Sequence, residues 1–172
     1  MPESIEIVDK DNRLIGTERR DIVHSKGLFH RTVNIFVFNP KGVFLQKRSP
    51  DKDICPSCWD LSVAEHLKPG EPYKEAAVRG LKEELGITSA VSLLNGIHLQ
   101  KNEYLGGKIK DYEFVELYKT TYVGDIVLQK SEVSEGRFFP ISKVKRMVKE
   151  SPGQFTPWFL EEWKFLEITN LI

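Results

Sequence analysis

The chain has 172 residues, and its composition, 40% hydrophobic and 29% charged, is ordinary for one compact domain. The 25 basic and 25 acidic residues balance, so the total charge favours neither a nucleic-acid polymer nor a membrane surface as the partner. The first ten residues contain no apolar segment of the kind found in signal peptides, and no apolar run is long enough to cross a bilayer. We therefore expect a single domain over residues 1–172, located in the cytoplasm.

Strand patterns dominate the N-terminal part of the chain, where alternating apolar residues are separated by turn residues. The predicted strands cover residues 4–8, 14–19, 31–38, 43–48 and 59–64. Asp11 and Asn12 form a turn between the first two strands, which predicts an N-terminal β-hairpin. A polar loop precedes the last strand.

A helix is predicted over residues 72–85. Pro72 suits its first turn, an apolar stripe runs to Leu85, and Gly86 favours a C-terminal cap. The elements predicted beyond it are strands over residues 91–99, 109–121 and 137–140 and helices over residues 141–151 and 157–166. This order predicts the α+β class, with a mixed β-sheet in a layered α/β/α domain.

Cys55 and Cys58 form a C-x-x-C pattern in the loop before the short strand. A zinc site would need a second pair of ligands at suitable spacing, and the chain has no other cysteine. A redox motif would be expected near the start of a helix, whereas Pro56 and Trp59 predict a turn into a strand. We therefore expect two loop thiols without a metal.

The predicted helix carries two adjacent carboxylates, Glu83 and Glu84, near its C-terminal end. Negative charge is unfavourable there because the helix dipole places partial negative charge at the same end. A bound cation would offset this repulsion, and Mg²⁺ prefers oxygen ligands and keeps waters and phosphates in its shell. The pair therefore predicts a metal-dependent site that acts on a phosphate group.

The segment from Glu65 to Ile87, EHLKPGEPYKEAAVRGLKEELGI, resembles the Nudix box, whose pattern is G-x5-E-x7-R-E-U-x-E-E-x-G-U with U a bulky aliphatic residue. The matching residues are Glu71, Arg79, Leu81, Glu83, Glu84, Gly86 and Ile87. The resemblance implies an α/β/α Nudix sandwich. It also implies a hydrolase that uses Mg²⁺ or Mn²⁺ to cleave a diphosphate linkage in a small molecule.

The same resemblance implies roles for individual residues. Glu83 and Glu84 would bind the metal or activate water, and the backbone carbonyl of Ala64 would be a further metal ligand. Glu71 and Arg79 would pair with each other and orient the loop–helix–loop, so their role would be structural.

Two positions depart from the box pattern. Glu65 stands where the family has its first glycine, and Gly80 stands where it has the glutamate after the arginine. Residues 80 and 84 are four apart and share one helix face, so the family's two carboxylates converge there. We hypothesise an exchange, in which Glu65 supplies the missing carboxylate to the catalytic metal site and Gly80 leaves room for it. The alternative is two independent changes and a weakened site.

The resemblance extends beyond the box to the Nudix subgroup similar to isopentenyl-diphosphate isomerase. The segments that carry it are residues 27–32, 46–49, 59–66 and 155–158. The metal ligands that the isomerase pattern implies here are His30, His66, Asp111 and Glu113. His24 is near a third histidine position, but its spacing is off by one. Asp111 and Glu113 are two apart, so both face the same side of a strand.

Ala64 separates the two activities. The isomerase has a catalytic cysteine at this position, where a thiol transfers a proton to or from the allylic carbon, and alanine cannot replace it. Cys58 is six residues upstream, on the wrong side of a strand. We therefore favour hydrolysis over isomerisation. A third alternative, a nucleotide-binding Nudix module without catalysis, is supported by the missing carboxylate at Gly80.

Basic side chains in and before the box are candidates for binding the substrate's phosphates. Arg48 and Lys68 are preferred, and bidentate arginine contacts are the stronger type. Lys47, Lys52 and Arg31 are further candidates.

Some acidic and aromatic residues lie outside the box. Glu113 is preferred for the metal site over Glu116, which would face the opposite side of its strand. The remaining candidates for completing the site are Glu132 and Glu135. We expect His98 to be structural. Packing roles are also expected for Trp59 and Tyr104, although either could stack on a base.

Overall fold

The computed structural model describes residues 4–129, 131 and 133–172. The strands are β1 (Ser4–Val8), β2 (Leu14–Arg19), β3 (Phe29–Asn39), β4 (Gly42–Arg48), β5 (Trp59–Asp60), β6 (Val63–His66), β7 (Ser92–Tyr104), β8 (Ile109–Thr121) and β9 (Val133–Phe139). The helices are α1 (Arg20–Lys26), α2 (Tyr73–Leu85), α3 (Ile141–Glu150) and α4 (Pro157–Ile168), with short 3-10 helices at Leu105–Gly107 and Pro152–Gln154. None of the described helices is long and apolar enough to cross a membrane.

Strand β3 is the centre of the sheet. It runs antiparallel to β1, β4 and β6 and parallel to β8. The other pairings are antiparallel, with β2 on β1, β7 on β8, and β5 and β9 on β4. The mixed β-sheet and the N-terminal β-hairpin are therefore confirmed.

Helices cover both faces of this sheet because β3 is apolar on both sides over its second half. Val33 and Ile35 pack in one cluster with Leu81 and Leu85 of α2, the first layer of helix. Phe36 packs on the other side, where its ring meets α4 and α3 adds Val144. Each fully buried large apolar side chain stabilises the fold by roughly 1.5–3 kcal/mol. The α+β class with an α/β/α layering is confirmed.

Helix α1 is an addition to the predicted elements. Its seven residues follow β2 without a break, Asp21 lies in the first turn, and Gly27 ends the helix with a φ of 67°. Two turns are too short to show a clear apolar period, which is why the pattern was not visible in the sequence. The helix is important because it buries His24.

The strand predicted over residues 59–64 is instead two short strands, β5 and β6. Between them, the hydroxyl of Ser62 donates to the carbonyl oxygen of Phe44 at 2.6 Å and accepts from the backbone N–H of Val37 at 2.8 Å. These side-chain hydrogen bonds replace a backbone ladder. The chain crosses here from β4, the partner of β5, to β3, the partner of β6.

Candidate functional site

Three histidines and two carboxylates converge where α1, β3, β6 and β8 meet; we call them the histidine cluster. Its members are His24 on α1, His30 on β3, His66 on β6, and Asp111 and Glu113 on β8. The strand register accounts for much of the arrangement, since His30 lies directly beside Glu113 in the parallel pair of β3 and β8. The three imidazole centroids are 5.2, 5.3 and 5.7 Å apart.

Ligand atoms of the cluster point at one another. Asp111 Oδ1 lies 3.4 Å from His24 Nε2 and 3.3 Å from His30 Nε2. Glu113 Oε1 lies 3.5 Å from His30 Nε2 and 4.0 Å from His66 Nε2. His30 Nδ1 lies 3.1 Å from the carbonyl oxygen of Leu28, so Nδ1 carries the hydrogen and Nε2 is directed into the cluster.

Three of these atoms are buried without a hydrogen-bond partner among the described residues: His24 Nε2, His30 Nε2 and Asp111 Oδ1. Buried polar atoms rarely lack partners, and the binding of an ion is one established explanation. Imidazole nitrogens and carboxylate oxygens together suit divalent transition metals such as Mn²⁺. The residues present therefore fit a divalent cation.

The electrostatics of the cluster also favour positive charge at its centre. Burial lowers the pKa of His24 to about 3, and the neighbouring histidines act in the same direction. Burial also opposes the charged form of His30, but Asp111 and Glu113 outweigh it and raise the pKa of His30 to about 10. A proton on His30 thus compensates two carboxylates, and a metal ion at the same place would do so with more charge.

Arg79 on α2 is the hub of a second group of charges. Its guanidinium contacts both oxygens of Glu71 at 2.8 Å, Glu65 at 2.9 Å and Glu83 at 3.1 Å. It also donates to the carbonyl oxygen of His66 at 2.8 Å. Burial raises the pKa of Glu71, but hydrogen bonds from Arg79 and the Lys68 backbone outweigh this and lower it. The structure thus brings the expected partners Glu71 and Arg79 together, and it adds Glu65 to them.

Gly80 lies against the side chain of Glu65. A Cβ atom at position 80 would be 3.0 Å from Val63 Cγ1 and 3.1 Å from Glu65 Cβ. Both neighbours belong to β6, where there is little freedom to move. The space that a side chain at position 80 would need is therefore already taken by Glu65.

The paired carboxylates at the end of α2 face different environments. Glu84 is 8% exposed, and its carboxylate accepts a hydrogen bond from the side-chain amide of Gln46 at 3.2 Å. Glu83 is more exposed and pairs with Lys68 at 3.2 Å as well as with Arg79. Glu84 is thus the inner carboxylate and Glu83 the outer one.

One cavity of about 430 Å³ joins both groups; we call it the pocket. The histidine cluster lines it with His24, His66, Asp111 and Glu113, and the α2 side lines it with Glu65, Arg79, Glu83 and Glu84. Ala64 lies between these two groups and also lines the pocket. A ligand in the pocket would therefore be in reach of acidic groups from two directions and of several cations.

The family model of the NUDIX domain matches residues 28–159, which include the charges around Arg79 and all of the histidine cluster except His24. The chain belongs to the Nudix family. The match covers more than three quarters of the chain and contains the segment from Glu65 to Ile87 that resembles the Nudix box.

The proteins similar to this Nudix protein include both a hydrolase and an isomerase. An uncharacterized Nudix hydrolase of Clostridium acetobutylicum is 39% identical over 138 residues, which cover 76% of this chain and 66% of that protein. An isopentenyl-diphosphate Delta-isomerase of Photorhabdus laumondii is 28% identical over 178 residues, covering 96% and 99%. A crystal structure from Deinococcus radiodurans shares the fold, with a TM-score of 0.67 at 22% identity, covering 87% of this chain and 90% of that one.

Some of the basic side chains expected to bind phosphate lie in the pocket, and others lie elsewhere. Arg48 and Lys68 line the pocket of the Nudix domain, as does Lys52. Lys47 instead lies over the ring of Trp59. Arg31 binds Glu6 at 3.2 Å and the backbone of Asn12 at 2.6 Å, which ties β3 to the N-terminal hairpin outside the pocket. Arg20 of α1 also lines the pocket and was not expected.

Other expected residues lie away from the pocket or outside the described residues. Glu132 is not among the described residues. Glu135 pairs with Arg137 at 3.4 Å, and Glu116 accepts a hydrogen bond from the hydroxyl of Tyr118. His98 binds Glu162 at 2.9 Å. Glu116, Glu135 and His98 do not line the pocket.

The loop thiols and the two aromatic residues have packing environments. Cys55 and Cys58 are free and half-buried, and burial raises the pKa of both thiols, that of Cys55 to about 11. Trp59 is in the core. The ring of Tyr104 packs edge-on against Trp158 at 6.4 Å.

Several pocket residues were absent from the sequence-based expectations. They are Arg20, Thr32, Asn34, Gln46, Ile54, Gln129 and Trp158. Thr32, Gln46 and Trp158 had a signal, since they lie in the segments 27–32, 46–49 and 155–158 that resemble the isomerase-like subgroup or the isomerases. The others had none, because only the tertiary fold directs them to one cavity.

Proposed function

We propose that the chain is a metal-dependent Nudix hydrolase that cleaves a diphosphate linkage in a small organic molecule by attack of water on phosphorus. The observation that carries this proposal is that the carboxylates of the Nudix box, the histidine cluster and several cations line the same pocket. A diphosphate has the negative charge that the cations can bind, and the acidic groups can hold the metal that such chemistry requires.

Two ligand sets are available for Mg²⁺ or Mn²⁺. The first consists of Glu84, Glu83 and Glu65 with the backbone carbonyl of Ala64. The second is the histidine cluster, which includes the expected ligands His66 and Glu113. A metal ion held by these residues would neutralise phosphate oxygens and lower the pKa of the attacking water.

The chain's own residues would bind the substrate and handle the proton. Arg48 and Lys68, which both line the pocket, would hold the phosphates. A box carboxylate, Glu84, Glu83 or Glu65, would accept the proton of the attacking water as the new P–O bond forms and the bridging P–O bond breaks. The Glu71–Arg79 pair would keep the box rigid during this step.

The exchange between Glu65 and Gly80 is part of the proposal. Its steric half is supported by the 3.1 Å approach of Glu65 to a Cβ at position 80. Its electrostatic half is supported by the position of Glu65 on the pocket surface, where its carboxylate and that of Glu83 share Arg79. Glu65 would thus occupy the space of the family's missing glutamate.

Isomerisation of isopentenyl diphosphate is the second candidate, favoured by the histidine cluster and by the isomerase relative. Ala64 argues against it, because a methyl group cannot move a proton. Incubation of the protein with isopentenyl diphosphate and Mg²⁺ or Mn²⁺, followed by NMR for the allylic isomer, distinguishes the two. Formation of that isomer at a rate well above a Glu84→Gln control would replace the hydrolase proposal.

The direct test of hydrolysis is a screen of nucleoside di- and triphosphates, nucleotide sugars and prenyl diphosphates with Mg²⁺ or Mn²⁺. Released phosphate or pyrophosphate is measured, and hydrolysis of at least one class is expected. Tight nucleotide binding without turnover under either metal would favour a non-catalytic binding module instead. The single domain over residues 1–172 and the cytoplasmic location remain predictions from the sequence.

A further inference from the structure

Asp60 is a buried carboxylate that has no role in the proposed reaction. It ends β5, beside the point where the chain crosses from β4 to β3, and it is fully buried. Burying a carboxylate is costly unless hydrogen bonds and an opposite charge compensate it. The partners that compensate Asp60 therefore indicate what the residue does.

One oxygen of this carboxylate holds the C-terminal segment against the sheet. Asp60 Oδ1 accepts hydrogen bonds from the hydroxyl of Thr156 at 2.9 Å, from the indole N–H of Trp158 at 2.7 Å, and from the backbone N–H of Leu61 at 2.8 Å. All three donors are neutral. An uncharged amide oxygen could accept the same bonds, so this anchor does not by itself require an acid.

The other oxygen faces Arg48. Asp60 Oδ2 accepts from Arg48 Nη1 at 3.4 Å, and Arg48 Nε donates to the carbonyl oxygen of Ile54 at 3.1 Å. The guanidinium carbon also lies 5.1 Å from the centre of the Trp158 ring. Arg48 and Trp158 both line the pocket. The guanidinium is thus fixed by three groups, and Nη2 takes part in neither of its two hydrogen bonds.

We propose that Asp60 is a positioning residue for diphosphate binding, which fixes the Arg48 guanidinium against Trp158 so that its remaining donors meet a phosphate group. The inference rests on the proposed function, because it takes a diphosphate as the ligand of Arg48. A flexible arginine would have to be ordered when the ligand binds, and prior ordering reduces that entropic cost. Asp60 supplies this ordering from a place the ligand cannot reach.

Asparagine at position 60 separates the two roles of the carboxylate. Its amide oxygen can accept the bonds from Thr156, Trp158 and Leu61, and its NH₂ group then faces Arg48. The NH₂ group and the Arg48 guanidinium are both hydrogen-bond donors, so Arg48 would lose its acceptor. The C-terminal segment would keep its hydrogen bonds to residue 60. The substitution also removes the cost of a buried charge.

The experiment measures the binding of methylenediphosphonate, a diphosphate with a non-hydrolysable bridge, by calorimetry in the presence of Mg²⁺, together with Tm. Asp60→Asn is expected to bind about tenfold more weakly, a loss of ~1.4 kcal/mol, with a Tm close to that of the wild type. Thr156→Val is the matched control, because it removes a hydrogen bond to the same carboxylate and the N-cap of α4. It should lower Tm and leave the affinity unchanged.

A second pair of variants tests the role of Arg48 even if Asp60→Asn does not fold. Arg48→Lys keeps the charge but cannot contact Asp60 and Ile54 at once. It is expected to bind as weakly as Arg48→Ala, and wild-type affinity in Arg48→Lys would overturn the inference. Affinities that follow Tm across all variants, Thr156→Val included, would also overturn it.

The outcomes for the wild type separate this inference from the proposed function. A wild-type protein that does not bind methylenediphosphonate contradicts the proposed function, and the inference with it. Wild-type binding combined with unchanged affinity in a folded Asp60→Asn variant overturns the inference alone.

Discussion

The two acidic walls of the pocket carry their charges in different ways. We call the pocket residues Glu65, Arg79, Glu83 and Glu84 the α2 wall. Glu65 and Glu83 contact the guanidinium of Arg79, which also binds Glu71, a residue that does not line the pocket. In the histidine cluster, by contrast, Nε2 of His24 and of His30 are buried without a hydrogen-bond partner among the described residues. The α2 wall neutralises much of its charge within the protein, whereas the histidine cluster needs a proton or a metal ion at its centre.

This difference implies that the two walls have different roles. An ion-pair network such as the one around Arg79 holds carboxylates in fixed positions, which suits groups that must orient water or a metal. A cluster with unpartnered ligand atoms gains stability when a cation fills it, so metal binding there is coupled to folding. Activity should therefore depend most on the α2 wall, and metal-dependent stability should depend most on the histidine cluster.

The largest effect is expected from Glu84→Gln on the α2 wall. Glutamine has the same size as glutamate but no negative charge for a cation or a proton, so turnover of a hydrolysed diphosphate should fall roughly a thousandfold. Urea unfolding should stay near that of the wild type. Glu75→Gln, an exposed position on the same helix, is the control and should keep full activity. Near-normal turnover in Glu84→Gln would remove it from the site.

The network around Arg79 should dominate the stability of the α2 wall. Arg79→Ala leaves Glu65, Glu71 and Glu83 without their shared cation, and Arg79 is 15% exposed. Breaking this partly buried network of ion pairs is expected to lower the free energy of unfolding by about 3 kcal/mol, measured by urea denaturation. Lys82→Ala on an exposed face of the same helix serves as the comparison. A loss no greater than that of Lys82→Ala would show that the network contributes little.

Metal addition tests the histidine cluster. Mn²⁺ added to chelator-treated protein at a hundred times its Kd should stabilise the fold by ~2.7 kcal/mol, measured as a rise in Tm. His24→Gln should reduce this rise, since His24 supplies a buried ligand atom. Glu84→Gln should retain most of it if the two walls act separately. Equal loss in both variants would mean that one shared metal site replaces the two-wall description.

The exchange hypothesis between Glu65 and Gly80 predicts a smaller effect on activity, in a defined direction. Gly80→Glu alone should be the worst variant, because its side chain would meet Val63 and Glu65 at about 3 Å. Adding Glu65→Gly removes the contact with Glu65, leaves that with Val63, and restores the family's pattern at both positions, so the double variant should be about tenfold more active than Gly80→Glu, a coupling of ~1.4 kcal/mol. Activities that simply multiply would show that the two departures arose independently.

The elements with long periodic patterns could be predicted from the sequence, and those defined by tertiary contacts could not. The hairpin strands were predicted with the observed ends, and α2 within one residue. Helix α1 is too short to show a period. The break at Ser62 depends on hydrogen bonds to Phe44 and Val37, which lie far away in the sequence.

The residues of the candidate site could be predicted from the sequence only where they belong to a motif. The box gave Arg79, Glu83 and Glu84, because their spacing on α2 fixes their relative positions, and it gave Glu71 from the loop before that helix. The sequence could not show that His24 completes the cluster, since its spacing was one residue off and its position depends on α1. Asp60 lies in the segment 59–66 that carries the wider resemblance, but the sequence could not show its role, because its partners Thr156 and Trp158 follow it by 96 and 98 residues.

The smallest expected effect concerns His98, which has a carboxylate partner of its own in Glu162, whereas His24 and His30 share Asp111. Burial lowers the pKa of His98, but the hydrogen bond and charge of Glu162 outweigh it, so the pKa is raised in the folded state. Its stabilisation is therefore complete below the unfolded pKa of about 6.5 and is lost as the pH rises through the higher folded value. The loss should be on the order of 1 kcal/mol or less, measured as the difference in urea stability between wild type and His98→Gln from pH 5.5 to 9. A difference that is constant over this range would mean that the pair does not titrate, and a Tm rise with Mn²⁺ that disappears in His98→Gln would place this histidine with the metal ligands instead.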